Sequence, residues 1–177
     1  GRLRGTARAI GFQVRGRAGR RSMAAIGSSG RMWVDLHSTA ASKVLYANPP
    51  DWNEMRAWRR ILGRGDLFVD VGSNVGSYAL WAGDLGAEVI AIEPGPDAAR
   101  TLRENVRLNN FPISVLELGL AAAPGWMTLT KGKDSVNHLL FDPAASGDRI
   151  AVDTLDNVLG GRHAAGVKID VEGAERL

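Results

Sequence analysis

Asp70, Gly72, Ser73, Asn74 and Gly76 fall within seven residues, between an apolar run at 67–71 and a helically patterned segment reaching to about Asp84. Gly72 allows a tight turn and close approach of a ligand to the backbone, and Gly76 lets the following helix pack against the strand. Glu93 closes a second apolar run and stands 21 residues after Gly72. A glycine turn between strand and helix, with a carboxylate at the end of the next strand, is the chemistry of an adenosine-type ligand. The backbone lies close to the nucleoside and the acid accepts hydrogen bonds from ribose hydroxyls.

A dinucleotide site favours G-x-G-x-x-G, with backbone amides turned to a pyrophosphate. Here Asn74 stands where the second glycine belongs, and Asp70 at the strand end would repel a diphosphate. A ligand carrying an amine and a sulfonium, and no phosphate, suits such a loop better. S-adenosylmethionine is that ligand. Glu93 serves either cofactor type and does not choose between them.

These residues need elements to hold them. Residues 31–50 read as a short extended region with Met32, Val34 and Leu36 alternating, then a loop. Asp51 is placed to cap a helix, with Glu54 completing a capping box and Met55, Trp58 and Leu62 on one face. Trp52, Trp58 and Trp81 are expected in the core. Strands follow at 67–71, 88–93 and 113–118, with a helix after the turn at 94–97 running to about Asn109 and carrying Leu102 and Val106. Residues 126–130 read as the return strand of a hairpin, 131–148 as a loop and 149–152 as a strand. Asp153 is placed to cap a short helix, and 167–171 is a fourth apolar strand. Continuous apolar strands alternating with helices predict an α/β, doubly wound sheet.

Composition narrows the classes. The absence of cysteine excludes disulfides and thiolate metal sites. With three scattered histidines a zinc site is not expected, and no metal is assigned. No run approaches the roughly 18 apolar residues of a membrane span, and a cytoplasmic protein is expected. Eighteen arginines against four lysines fit a GC-rich bacterial genome. The first 22 residues carry seven arginines and no acid, so taking them from the net +3 leaves −4 for the rest. Residues 1–30 read as a basic, disordered extension, with a transit peptide or weak attraction to nucleic acid or anionic lipid as the other readings. Met23 is a candidate initiator. Residues 31–177 read as the catalytic domain.

The runs at 68–76 and 92–96, Leu102 with Asn105 and Asn109, the run at 153–156, and above all Lys168-Ile169-Asp170-Val171-Glu172-Gly173-Ala174-Glu175 resemble the FkbM family of class I methyltransferases. The resemblance covers about residues 43–177. It implies a Rossmann-like sheet of seven strands, S-adenosylmethionine as cofactor, and methyl transfer to a hydroxyl. On the matching positions, Asp70, Gly72, Asn74 and Gly76 would surround the methionine part, with Ser73 where the family more often has alanine. Glu93 would take the ribose, Pro94 would lie beside the adenine, and Gly119 and Leu120 would face its edge. The family pattern continues beyond Leu177, so a chain truncated after the fourth strand is expected.

In this architecture the end of the fourth strand lies beside the transferable methyl. Asp170 and Glu172 are therefore the catalytic candidates, as base or as groups orienting a hydroxyl. They could also supply oxygen ligands to Mg2+. Capping is their structural alternative. His138 ranks below them as a base, and Lys168 reads as solvated or salt-bridged. The expected acceptor is a small-molecule hydroxyl on a sugar, lipid or secondary metabolite, and nucleic acid is not expected as a partner. Competing readings are a nicotinamide-dependent oxidoreductase and a non-catalytic cofactor-binding module.

Overall fold

A computed structural model describes residues 12, 17, 20–34, 44, 47–130, 138–140 and 147–171. Its centre is a four-stranded parallel sheet. β3 (Leu67–Val71) and β4 (Glu88–Ile92) lie inside it, flanked by β5 (Ile113–Leu116) and β10 (Gly166–Ile169), in the order β10-β3-β4-β5. Every residue of β3 is buried. This is why that strand reads as a continuous apolar run and not as an alternating one. The order reverses between β3 and β10, and the carboxyl ends of those two strands border the crevice where ligands bind in open α/β sheets.

Helices cover both faces. α1 (Trp52–Ile61), α2 (Ser77–Asp84) and α3 (Pro96–Arg107) pack on the face that carries Phe68, Val89 and Ala91. α4 (Leu155–Leu159) packs on the other, against Val69, Val71 and Ile92. Trp58 of α1 meets Phe68 edge-on, with ring centroids 5.0 Å apart.

A hairpin, β1 (Ser22–Ile26) and β2 (Gly30–Val34), adds a further layer outside α2 and α3. Its Ala24, Ile26, Met32 and Val34 are buried with Leu80 and Trp81. Residues 22–30, counted with the basic extension in the sequence reading, are thus part of the folded domain, with Ala24 and Ile26 in its core. The hairpin turn is held by Asp84, which accepts from Ser28 N (2.6 Å), Ser28 Oγ (2.7 Å), Ser29 N (2.8 Å) and Ser29 Oγ (2.6 Å).

A second sheet has the order β6-β9-β7-β8, formed by β6 (Gly119–Leu120), β7 (Gly125–Thr130), β8 (His138–Leu140) and β9 (Asp148–Asp153). The hairpin strand expected at 126–130 is present, but its partners are β8 and β9 and not β5. His138, read as a loop residue, is a strand residue paired with Thr130.

Local corrections have clear causes. Trp52 is 56% exposed, because α1 turns only Met55, Trp58 and Leu62 inward. Asp51 is the N-cap of α1 without a side-chain cap bond, and Glu54 accepts from the Tyr78 hydroxyl at 2.8 Å instead of closing a capping box. Thr154, not Asp153, caps α4 by accepting from Asn157 N. Asp153 braces that turn through Thr154 N and Asn157 Nδ2. No helix among the described residues is long and apolar enough to cross a membrane.

Candidate cofactor and acceptor site

The loop 72–76 leaves β3 and enters α2. Gly72 has φ +73, and a Cβ there would be driven into the carbonyl oxygen of Asp170 at the end of β10. The close approach that requires glycine is therefore one of protein to protein. Gly76 has φ +97, and a Cβ there would stand 2.5 Å from Leu102 Cδ1, so this glycine makes room for α3 and not for the strand. Asn74 sits at φ +50, a left-handed conformation that asparagine tolerates, and is exposed.

Most of the loop's amides are engaged by the protein itself. Gly72 N and Ser73 N both donate to Ile92 O at 3.0 Å, and Gly76 N donates to Ser73 O at 2.8 Å. Asn74 N donates to Glu93 Oε2 and Gly95 N to Glu93 Oε1, each at 2.8 Å. Ser73 is buried, its hydroxyl donating to Asp70 O. A pyrophosphate would need those amides and would face the Glu93 carboxylate. A phosphate-free nucleoside needs neither amide, and each Glu93 oxygen keeps a second acceptor site for a ribose hydroxyl. Burial pushes the Glu93 carboxyl above its usual range, against the two backbone hydrogen bonds that pull it down. Pro94 is half-buried beside it. Leu120 packs with Val71 and Ile92, and its backbone joins β9 at Asp153.

Asp70, expected around the methionine part, is engaged by the protein's own groups. It lies beneath the loop with its side chain 1% exposed, beside Lys168 in the β3–β10 register. One oxygen accepts from Ala79 N at 3.1 Å and the other lies 3.5 Å from Lys168 Nζ. Burial raises its pKa, and Lys168 opposes that rise. The register sets this placement: β3 turns the position inward towards α2, and the buried Lys168 supplies an opposing charge.

Lys168 is the residue whose part the sequence reading missed. It is salt-bridged, as read, but also buried, and it links three groups. Besides Asp70, its Nζ lies 3.4 Å from Asp170 Oδ2 and 4.5 Å from the centroid of the Tyr78 ring. Tyr78 in turn donates to Glu54, and burial, followed by that carboxylate, drives its phenol far above the usual range. Tyr78 carries no motif signal and Glu54 only that of a capping box; the packing of α1 on α2 is what reveals their pairing. The side chain of Asp170 is 66% exposed at the end of β10, so its carboxylate is open to an acceptor. Glu172 lies outside the described residues. Among the described residues no group of three His, Cys, Asp or Glu stands close enough to hold a metal ion.

Asn105 of α3 closes the arrangement. Fully buried, it donates from Nδ2 to Val75 O and accepts at Oδ1 from Trp33 N, both at 2.8 Å. It therefore ties the cofactor loop to the hairpin.

A Rossmann-like sheet with a glycine turn and an acid at the second strand end fits a class I S-adenosylmethionine-dependent methyltransferase domain. The family model described as the methyltransferase FkbM domain matches residues 70–177, and the chain belongs to that family.

Among curated proteins, the 23S rRNA (uracil(1939)-C(5))-methyltransferase RlmD of Shewanella sp. (strain MR-4) is 35% identical over 111 residues, or 60% of this chain. That of Shewanella amazonensis is 31% identical over the same length. The chain spans about a fifth of these relatives, 22% of each. Solved structures with similarity include P. horikoshii TYW2 in complex with MeSAdo, with 22% identity and TM-score 0.43, covering 56% of this chain and 36% of that one. M. jannaschii TYW2 in complex with AdoMet has 19% identity and TM-score 0.41, covering 54% and 42%. The expectation that excluded nucleic acid in favour of a small-molecule acceptor is corrected by the curated relatives, which are named as methyltransferases of ribosomal RNA.

Proposed function

We propose that this chain is the cofactor-binding part of a protein that methylates RNA, with S-adenosylmethionine as methyl donor. The observation that carries the cofactor reading is the use of the loop amides by Ile92, Ser73 and Glu93, which leaves a crevice suited to ribose hydroxyls and unsuited to a diphosphate. The observation that carries the RNA reading is the likeness over 111 residues to proteins named for 23S rRNA methylation.

S-adenosylmethionine, when bound, supplies a methyl group on a sulfonium that is ready to leave. The chain's own residues hold and orient. Glu93 accepts the ribose hydroxyls, and Gly72 and Asn74 shape the wall beside them. Asp170 orients the acceptor at the end of β10, with Lys168 holding its carboxylate in place. An exposed acid at this point also favours a second reading of the acceptor atom, a hydroxyl whose proton passes to Asp170.

Calorimetry on the whole protein should give tight S-adenosylhomocysteine binding and no NAD binding. Incubation with radiolabelled S-adenosylmethionine and total RNA should place label in nuclease-sensitive material, and Asp170→Asn should cut incorporation by about a hundredfold while leaving S-adenosylhomocysteine binding intact. Label confined to nuclease-resistant small molecules sinks the RNA reading, and NAD binding sinks the cofactor reading.

A further inference from the structure

We propose that the exposed face of α1 is the surface along which single-stranded RNA runs to the site, an inference that rests on the RNA reading above. Trp52, Arg56 and Arg60 follow one another at four-residue spacing and so share a face. Arg59 lies beside them and Arg64 just past the helix, and all five are exposed. Arg56 lies over the Trp52 ring, its guanidinium 5.6 Å from the centroid.

These arginines differ from those that are held in ion pairs across the surface. Arg21, Arg103 and Arg162 are each paired with an acid of another segment: Glu104, Glu117 and Glu88. Arg56, Arg59, Arg60 and Arg64 make no ion pair among the described residues. The one acid of α1, Glu54, is turned to the Tyr78 hydroxyl. The strip is thus uncompensated positive charge with one flat aromatic at its head.

Its position gives it a purpose. Glu54 reaches Tyr78, whose ring lies under Lys168, and Lys168 contacts Asp170. The first turn of α1 therefore stands at the carboxyl end of β10, and the strip leads away from there for about 12 Å between Trp52 and Arg60. Guanidinium groups pair with phosphates in a bidentate fashion, and an exposed indole offers a base a stacking platform. An anionic membrane is the weaker occupant, because Met55 and Leu62 are buried and the exposed Trp52 and Ile61 stand at opposite ends and on opposite sides of α1, so they form no continuous apolar face to insert.

The test uses the whole protein, a random-sequence single-stranded RNA of about 20 nucleotides, and vesicles of phosphatidylglycerol with phosphatidylcholine. Expected results are a salt-dependent RNA affinity whose slope falls by about 0.7 for each arginine removed in R56Q, R60Q and R56Q/R59Q/R60Q. W52A should weaken binding about tenfold with the slope unchanged. R107Q, on α3, serves as a control and should leave affinity within about twofold of wild type. S-adenosylhomocysteine binding reports that each variant is folded. Unchanged affinity and slope in the folded variants, while the wild type still binds and methylates RNA, overturn the surface assignment alone. Failure of the wild type to bind or methylate RNA overturns the RNA reading and the surface with it. Vesicle binding through these residues without RNA binding also overturns the assignment.

Discussion

Lys168 and Asp70 face each other across the β10–β3 ladder, with Nζ 3.5 Å from Oδ1 and side chains 7% and 1% exposed. A buried pair of this kind adds little over an apolar replacement, but breaking it leaves a charge without compensation. Lys168→Met should therefore cost about 3 kcal/mol at neutral pH in urea unfolding. Adding Asp70→Asn should recover much of that loss, a coupling that a double-mutant cycle measures directly. Burial already raises Asp70 from its ordinary 3.8, with Lys168 pulling against it. An acid with a raised folded pKa keeps its proton in the native state where the unfolded chain has released it, so stability falls as pH rises from 3.8 through the raised value. The lysine variant, having lost the opposing charge, should be more stable at about pH 5 than at about pH 8. The reverse order would refute the pairing.

Gly72→Ala combines a positive φ with a collision against the Asp170 carbonyl, a backbone atom that no rotamer can move. A loss of about 3 kcal/mol or more is expected, together with loss of S-adenosylhomocysteine binding. A thermal melt and a titration on one sample suffice, and a variant with native affinity would show that the loop and β10 do not touch.

Glu93→Gln leaves one oxygen to serve the two amides of Asn74 and Gly95. Affinity for S-adenosylhomocysteine should fall about tenfold, as read by calorimetry. In the wild type, ribose hydroxyls favour the charged carboxylate, so binding should weaken as pH falls through the raised Glu93 pKa. The glutamine variant should lose that pH dependence.

Asp84→Ala removes the acceptor of four hydrogen bonds from Ser28 and Ser29. The side chain is only partly buried, so about 2 kcal/mol and a melting temperature lowered by about 4–8 °C are expected. Burial pulls this carboxyl upward, but the four bonds outweigh it and the net shift is downward from 3.8. Its contribution is therefore complete above 3.8 and lost as pH falls through the lower folded value. The difference between wild type and variant should shrink in that acidic window.

What sequence reading recovered is what local chemistry enforces. β3 and β4 are apolar but for Asp70 and Glu88 because both faces are covered, and Gly72 and Gly76 are glycines because φ is positive there. Glu93 is legible because its spacing from the loop follows from one strand–helix–strand unit. What escaped is set by register and by packing between distant segments. Nothing near Asp70 in the chain announces that Lys168 will lie beside it, and so its buried ion pair was not legible. Glu54 matched a capping box, yet the hydroxyl of Tyr78 competes for it from another helix. Likewise Ser28 and Ser29 gave no sign of Asp84, so a hairpin strand was counted with an unstructured tail.

The contact between Gly72 and the Asp170 carbonyl also governs assembly. The floor of the nucleoside crevice is not a local motif, because one of its walls arrives only when β10 docks beside β3. While the ribosome has delivered no more than β5, the glycine turn faces open solvent on that side. Closing so long a loop is entropically costly and comes late. The wall beside Gly72 is therefore complete only once the fourth strand of the sheet is in place.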